Sequence, residues 1–368
     1  VSITIVSSLD VFCRQQACEA LAAGLPNAVV VFHDLLEDGL VIRRIFTDGQ
    51  AIERHKRKLE HGCLSCTVRL DVVPTVDRLL ARGEQNTILG LPPAVSAETA
   101  VLALHKGLGR SFSVDSAVLA CAPDAVEDQI WDHHTLFESG YTPVPHDDRT
   151  AGEFLIGELS FNDTVLLSDP ALIPVDPKTR SRGVQLIHEL APHASVGEGD
   201  AGCSVRAGHH DYAQAAHRTA LGSVLIPGSP STAPFSTVVQ RAERPLHPER
   251  FRHALGILAE GCCWLRGRVW LAAAPECCIA VKGIGPRVWL ENTGAWPPES
   301  RTGQENGAGT DREWHPVFGD RATVLAATGE GMDATEIKRL LSGCELTDAE
   351  MMAGHESFPD PFNLNSTR

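Results

Sequence analysis

The chain contains no Gly-Lys-Ser or Gly-Lys-Thr, its first glycine is Gly24 and its first lysine is Lys56. A glycine-and-lysine phosphate cradle after the first strand is therefore excluded. No apolar run approaches the length of a membrane span, and Val1-Ser2-Ile3-Thr4-Ile5-Val6 lacks the basic leader of a signal peptide. The expected setting is the cytoplasm, with no membrane partner. Cationic excess is missing too: the formal net charge of −15 argues against generic DNA or RNA binding, which needs a positive face. The 11 cysteines form no regular framework, so reduced thiols are expected rather than a disulfide scaffold. No Gly-x-Ser-x-Gly elbow occurs and no catalytic set can be assembled.

What is present is α/β patterning. At 368 residues, two domains are the default expectation. Residues 3–7 and 28–32 are short β-branched runs around a helical stretch, Val11 to Ala23, which makes a βαβ unit. Further strands are expected at 41–46, 87–89, 113–122 and 163–167, and helices at 70–82 and 97–108. The alternation predicts a mainly parallel sheet with helices on both faces over residues 1–196. Gly, Ser and Pro clusters mark a flexible linker over 197–236. A smaller α/β (α+β) domain is expected over 237–350, with a mobile loop at 294–311 and a tail at 351–368. It has helices at 247–259 and 333–341 and strands near 268–273, 278–281, 288–290 and 322–327.

The most pointed motif is His61-Gly62-Cys63-Leu64-Ser65-Cys66-Thr67. Two thiols at Cys-x-x-Cys spacing can converge on one soft metal ion or act as a redox pair. A closed zinc site needs two more donors, for which His61 or the distant His209 and His210 are candidates. The alternative is inert or redox thiols at Cys63 and Cys66, and solvated linker histidines at His209, His210 and His217. The adjacent pairs Cys262-Cys263 and Cys277-Cys278 sit in apolar runs and read as core. Cys13 and Cys18 fall on different faces of their helix and are not expected to chelate together. Arg54-His55-Lys56-Arg57-Lys58 is the densest basic run. It is either an exposed helix face or a phosphate-contacting patch made of Arg54, Lys56, Arg57 and Lys58.

The order of these phrases resembles the CobW-type group of P-loop GTPases. The resemblance rests on the cysteine motif, Val114-Asp115-Ser116, Ser160-Phe161-Asn162-Asp163-Thr164, Leu246-His247-Pro248-Glu249-Arg250, Gly267-Arg268-Val269-Trp270, Phe318-Gly319-Asp320-Arg321 and Leu346-Thr347-Asp348-Ala349-Glu350. It implies a P-loop-type sheet, a CobW-type C-terminal domain, zinc at the cysteines and GTP with magnesium at the sheet edge. The nucleotide residues depart from the family pattern. The phosphate loop reads Ser7-Ser8-Leu9-Asp10 with Arg14 beyond it, the magnesium strand ends Leu89-Gly90-Leu91-Pro92, and the guanine-reading phrase falls on Ser168-Asp169-Pro170-Ala171. Ser7, Arg14, Ser168 and Asp169 thus mark a degenerate site, and GTP and magnesium are not expected. A degenerate actinobacterial branch shares the Cys-x-Ser-Cys form and an Asp-Pro-Phe tail, here Asp360-Pro361-Phe362. It is similar to a mycobacterial protein that recruits a ribosome hibernation factor, which implies that factor and the ribosome as partners in zinc starvation. The alternative is a GTP-dependent zinc metallochaperone.

Overall fold

A computed structural model of the protein describes residues 1–169, 174–200, 203, 205, 208–226, 233–296, 321–354 and 358–364. It divides into two compact units, Val1–His217 and Arg218–Arg368. No described helix is long and apolar enough to cross a membrane.

In the first unit β1 (Ser2–Ser7) leads into α1 (Val11–Ala23), then β2 (Val29–Leu35), β3 (Leu40–Thr47) and β4 (Gln50–Lys58). The cysteine segment follows as α2 (Leu64–Thr67) and α3 (Val73–Ala81), joined by a wider turn over Val68–Val72. Next come β5 (Asn86–Gly90), α4 (Ala97–Gly107), β6 (Ser113–Cys121), α5 (Val126–Trp131), α6 (Ala151–Phe161) and β7 (Thr164–Leu167). The unit closes with α7 (Pro177–Leu190), β8 (Ser195–Glu198) and α8 (Tyr212–Thr219).

Eight strands form one sheet in the order β4-β3-β2-β5-β1-β6-β7-β8, parallel from β2 to β8 and antiparallel at β3 and β4. Alternation explains the two covered faces. Ile3, Ile5, Val29 and Val31 pack with α3 and α4, whereas Val6, Val30 and Phe32 pack with α1. Cys13 and Cys18 are both buried in that second layer, so α1 buries a broader arc than their spacing implies.

Two local rules correct the expectations for this sheet. Asp48 and Gly49 both take positive φ, 49° and 73°, which makes a tight hairpin between β3 and β4. Arg54, Lys56, Arg57 and Lys58 therefore lie on an edge strand, not on a helix face. Lysine and arginine there discourage pairing with another chain. The helix expected from residue 70 instead begins at Leu64. Pro74 has no N–H for the carbonyl of Leu70 four positions before it. The Arg57 guanidinium donates to that carbonyl at 2.7 Å instead.

The expected linker also carries structure. Glu198 ends β8, residues 212–219 are helical and β9 begins at Phe235. Gly and Ser clusters in this stretch flank these elements, and residues 201–202, 204, 206–207 and 227–232 lie outside the described residues.

The second unit is α+β. β9 (Phe235–Ala242), β10 (Cys262–Val269), β11 (Cys277–Ile284), β12 (Arg287–Ala295) and β13 (Thr323–Glu330) pair antiparallel in the order β12-β11-β10-β13-β9. With α9 (Pro248–Ala259) and α10 (Ala334–Cys344) they enclose a core of Phe251, Leu258, Leu265, Val281 and Leu341. Cys262 and Cys263 are both buried at the start of β10, where the register with β13 shifts. The short helix α11 (Asp348–Ala353) precedes the tail, where Phe362 stacks edge-on to Phe251 at 6.3 Å and Leu364 joins the core. Most of the expected loop at 294–311, the phrase at 318–320 and tail residues 355–357 and 365–368 lie outside the described residues.

α7 passes close to the backbone at Pro123 through Gly183, where a Cβ would stand 1.7 Å from the carbonyl oxygen of Pro123. Gly183→Ala is expected to lower stability by roughly 1–3 kcal/mol through overpacking, read as a lower midpoint in chemical denaturation.

Candidate metal and nucleotide sites

In a parallel sheet the ligand crevice lies beyond the C-terminal ends of the strands, and here that place is the turn from β1 into α1. The helix N-terminus offers backbone donors and a partial positive charge to any anion. Asp10 already takes both roles. As N-cap, its Oδ1 accepts from the N–H of Phe12 at 2.7 Å and of Cys13 at 2.8 Å. A phosphate at this point would displace that carboxylate or meet its charge.

The other side chains of the turn point into protein. Ser8 Oγ donates to the Ala120 carbonyl at 2.7 Å and accepts from the Asp10 N–H at 3.0 Å. Ser7, fully buried, donates to Glu158, a carboxyl that also accepts from the Ala97 N–H and from Asn162 Nδ2. Burial pushes the Glu158 carboxyl above its ordinary range, against the lowering effect of its hydrogen bonds. Glu158 was not singled out from sequence, since an acid inside an apolar helix carries no motif.

Arg14 is neither an anion-binding group nor a surface arginine. It is fully buried, donating through one nitrogen to the carbonyls of His33 at 3.0 Å and Leu91 at 2.6 Å and through the other to Asp34 at 2.5 Å. At the magnesium position the chain continues from β5 into Leu91-Pro92, which supplies no carboxylate. At the guanine position Ser168 is buried and Asp169 pairs with Arg180 at 3.0 Å, while Pro170 and Ala171 lie outside the described residues. The residues present do not fit a bound nucleotide and magnesium.

The cysteine motif is built by a glycine contact. Gly39 turns the chain between β2 and β3 at φ 70°, and a Cβ on Gly62 would lie 2.7 Å from its Cα. Only two bare backbones approach this closely. The Leu59 N–H donates to the Gly39 carbonyl at 2.9 Å, which pins the same crossing. Cys63 then caps α2, its Sγ accepting from the Cys66 N–H at 3.2 Å and lying 3.4 Å from Ser65 Oγ. Partial burial pushes the Cys63 thiol up, but hydrogen bonds from the Cys66 thiol, Ser65 and the Cys66 N–H outweigh it and leave the thiol below its ordinary range. Cys66, which donates to Cys63, is raised, as Cys18 and Cys121 are by burial, each to about 12. Ser65 thus serves the Cys63 sulfur instead of acting as a ligand.

For zinc the fit is partial. Cys63 and Cys66 are half-buried and open to a cargo ion, yet among the described residues no histidine or carboxylate gathers with them as a third donor. His61 is exposed and outside that reach. His210 does not sit on a free linker. Its backbone and that of His209 donate to the Asp115 carbonyl, and its ring Nδ1 lies 2.7 Å from Asp163 Oδ2 with the side chain 2% exposed. His209 is exposed, tethered by that backbone bond. A two-thiolate site with open positions suits an ion to be passed on rather than a closed structural site.

Of the basic run, Arg57 is committed to the Leu70 carbonyl on the side of Asp71. Strand alternation places Arg54, Lys56 and Lys58 together on the other face.

Residues 235–345 match the family model described as the cobalamin synthesis protein cobW C-terminal domain. The chain is 28% identical over 360 residues to the zinc chaperone Rv0106 of Mycobacterium tuberculosis, covering 91% of this chain and 87% of that protein. It is 22% identical over 378 residues to zinc-regulated GTPase metalloprotein activator 1 of Dictyostelium discoideum, covering 93% and 79%. The Zn(II)-bound YjiA GTPase from E. coli aligns over 94% of this chain and 99% of its own with a TM-score of 0.37 and 9% identity, too loose a likeness to carry weight. The domain match and the two relatives support a relationship to CobW-type proteins.

Gly62→Ala is expected to force the crossing at Gly39 apart, lowering stability by roughly 1–3 kcal/mol and weakening zinc binding, as thermal melts and zinc titration would show. Alkylation mapped by mass spectrometry should modify Cys63 before Cys66. Because Cys63 is lowered and Cys66 raised, the Cys63 rate should persist as pH falls to values where Cys66 is protected.

Proposed function

We propose that this chain is a zinc-handling protein of the CobW type that works without a nucleotide. The observation that carries this reading is the Asp10 carboxylate occupying the donors at the start of α1, where the family's phosphates would bind. The names of the two relatives, a zinc chaperone and a zinc-regulated GTPase metalloprotein activator, support the zinc part. Zinc is the cargo, taken by the Cys63 thiolate and Cys66, with the remaining positions filled by water or by the recipient.

In the finer form of this proposal, the protein is an adaptor that brings a ribosome hibernation factor to the ribosome when zinc is scarce. Arg54, Lys56 and Lys58 on the free edge of the sheet are the phosphate-contacting face, and Arg57 is left out because it supports the cysteine helix. In a chain of net charge −15, an edge strand bearing three cations on one face is a local positive surface that RNA phosphates could contact. The second reading is a GTP-dependent metallochaperone, favoured by the word GTPase in the name of the Dictyostelium relative.

Calorimetric titration with GTP and magnesium separates the two readings: no heat is expected, and a micromolar or tighter constant would establish the second. Affinity purification from zinc-starved cells should enrich ribosomal and hibernation proteins. Joint replacement of Arg54, Lys56 and Lys58 by glutamine should abolish co-sedimentation with ribosomes. Unchanged co-sedimentation removes the edge strand from the proposal.

A further inference from the structure

Among the described residues, one group of side chains outside the cysteine motif has the composition and spacing of a metal site. Asp132, His133 and His134 follow α5, and one ligand atom from each lies within 4.8 Å of the others. We propose that these three residues form a second metal site, on the surface of the first unit, for a zinc-class divalent cation.

The geometry comes from a turn. Consecutive side chains on an extended chain point to opposite sides. Here the rings of His133 and His134 lie 4.1 Å apart, tilted by 34°, on the same side. Asp132 produces this by accepting from the backbone N–H of His134 at 2.9 Å, which draws the chain around its carboxylate. Its Oδ1 also lies 2.8 Å from His134 Nδ1, and its Oδ2 accepts from Ser139 Oγ at 2.7 Å. The turn is anchored below: buried Leu136 donates its N–H to the Arg149 carbonyl at 2.7 Å, and Glu138 accepts from both the N–H and the hydroxyl of Thr135.

Two imidazoles and a carboxylate are a zinc-type donor set with one position left open. Ser139 orients the carboxylate ligand as outer-shell partners do. Both histidines are exposed, so an ion reaches them from solvent and leaves again without displacing protein. An open, exposed three-donor site fits a station where an ion is held briefly. The choice of zinc over other divalent cations rests on the proposed function above, whereas the donor geometry does not.

The test uses the full chain stripped of metal and titrated with zinc and with cobalt(II). The variants are His133→Ala with His134→Ala, Ser139→Ala, and Cys63→Ser with Cys66→Ser. The histidine variant is expected to lose one equivalent of metal while keeping the sulfur-to-cobalt charge-transfer absorption. The cysteine variant should lose that absorption while keeping the equivalent held by the histidines. Ser139→Ala should weaken this equivalent about tenfold. A histidine variant with unchanged stoichiometry and affinity overturns the proposal and leaves the cysteine reading standing. Loss of charge transfer in no variant, with the histidine equivalent intact, overturns the cysteine reading alone. Equal melting midpoints of the metal-free proteins confirm that the exposed substitutions leave the fold unchanged.

Discussion

A buried guanidinium holds together the C-terminal edge of the large sheet. Arg14 leaves α1, passes beside the Phe32 ring and reaches the carbonyls of His33 and Leu91 and the carboxylate of Asp34. Those carbonyls stand at or just beyond the ends of neighbouring parallel strands, where the ladder no longer supplies donors. A charge so deep is stable only while every partner is present, and breaking such a set by removing one partner costs about 3–5 kcal/mol. Arg14 thus ties α1 to the ends of β2 and β5.

Asp34 is shared with Arg44 of β3 at 3.0 Å. The same chemistry recurs on the face of the sheet that carries the cysteine helix. One residue earlier on each strand, His33 and Arg43 both approach Asp71, at 3.2 Å and 2.9 Å, inside the wide turn of the cysteine helix. Arg43 also meets Glu53, which Arg78 shares and whose carboxyl these arginines hold down at about 2. One set of ion pairs therefore joins α1 to β2 and β3, and the other, on the opposite face of the sheet, joins β3 and β4 to the helix that Cys63 caps. The cysteine helix is thus held against β3 and β4 by charges on its own face of the sheet.

Much of this was legible in the sequence. The β-branched runs of β1 and β2 and the periodicity of α4 gave their places because burial on one or both faces imposes its own spacing. The absence of glycine and lysine after β1 was equally legible, since no other residues make that cradle. Other features followed local rules that competed with stronger patterns. Asp48-Gly49 is a hairpin signal, but the dense charges after it read as a solvated helix, and only pairing with β3 shows them as an edge strand. The histidines at 209 and 210 stand among turn formers, so composition placed them on a linker, although the second is held by Asp163.

By itself, then, the sequence determined the α/β character, the absence of a glycine-lysine phosphate-loop motif and the presence of two thiols at ligand spacing, because each depends on residue type and short-range periodicity. Only the tertiary structure decided what those residues do to one another. It turned Arg14 inward, assigned Arg57 to the carbonyl that Pro74 leaves without its helical donor, and pressed Gly62 against Gly39 so that Cys63 could cap its helix. Each of these contacts joins segments far enough apart in the chain that no pattern along it encodes their meeting. Burial and hydrogen-bond satisfaction, which act only once the sheet has formed, select the partner.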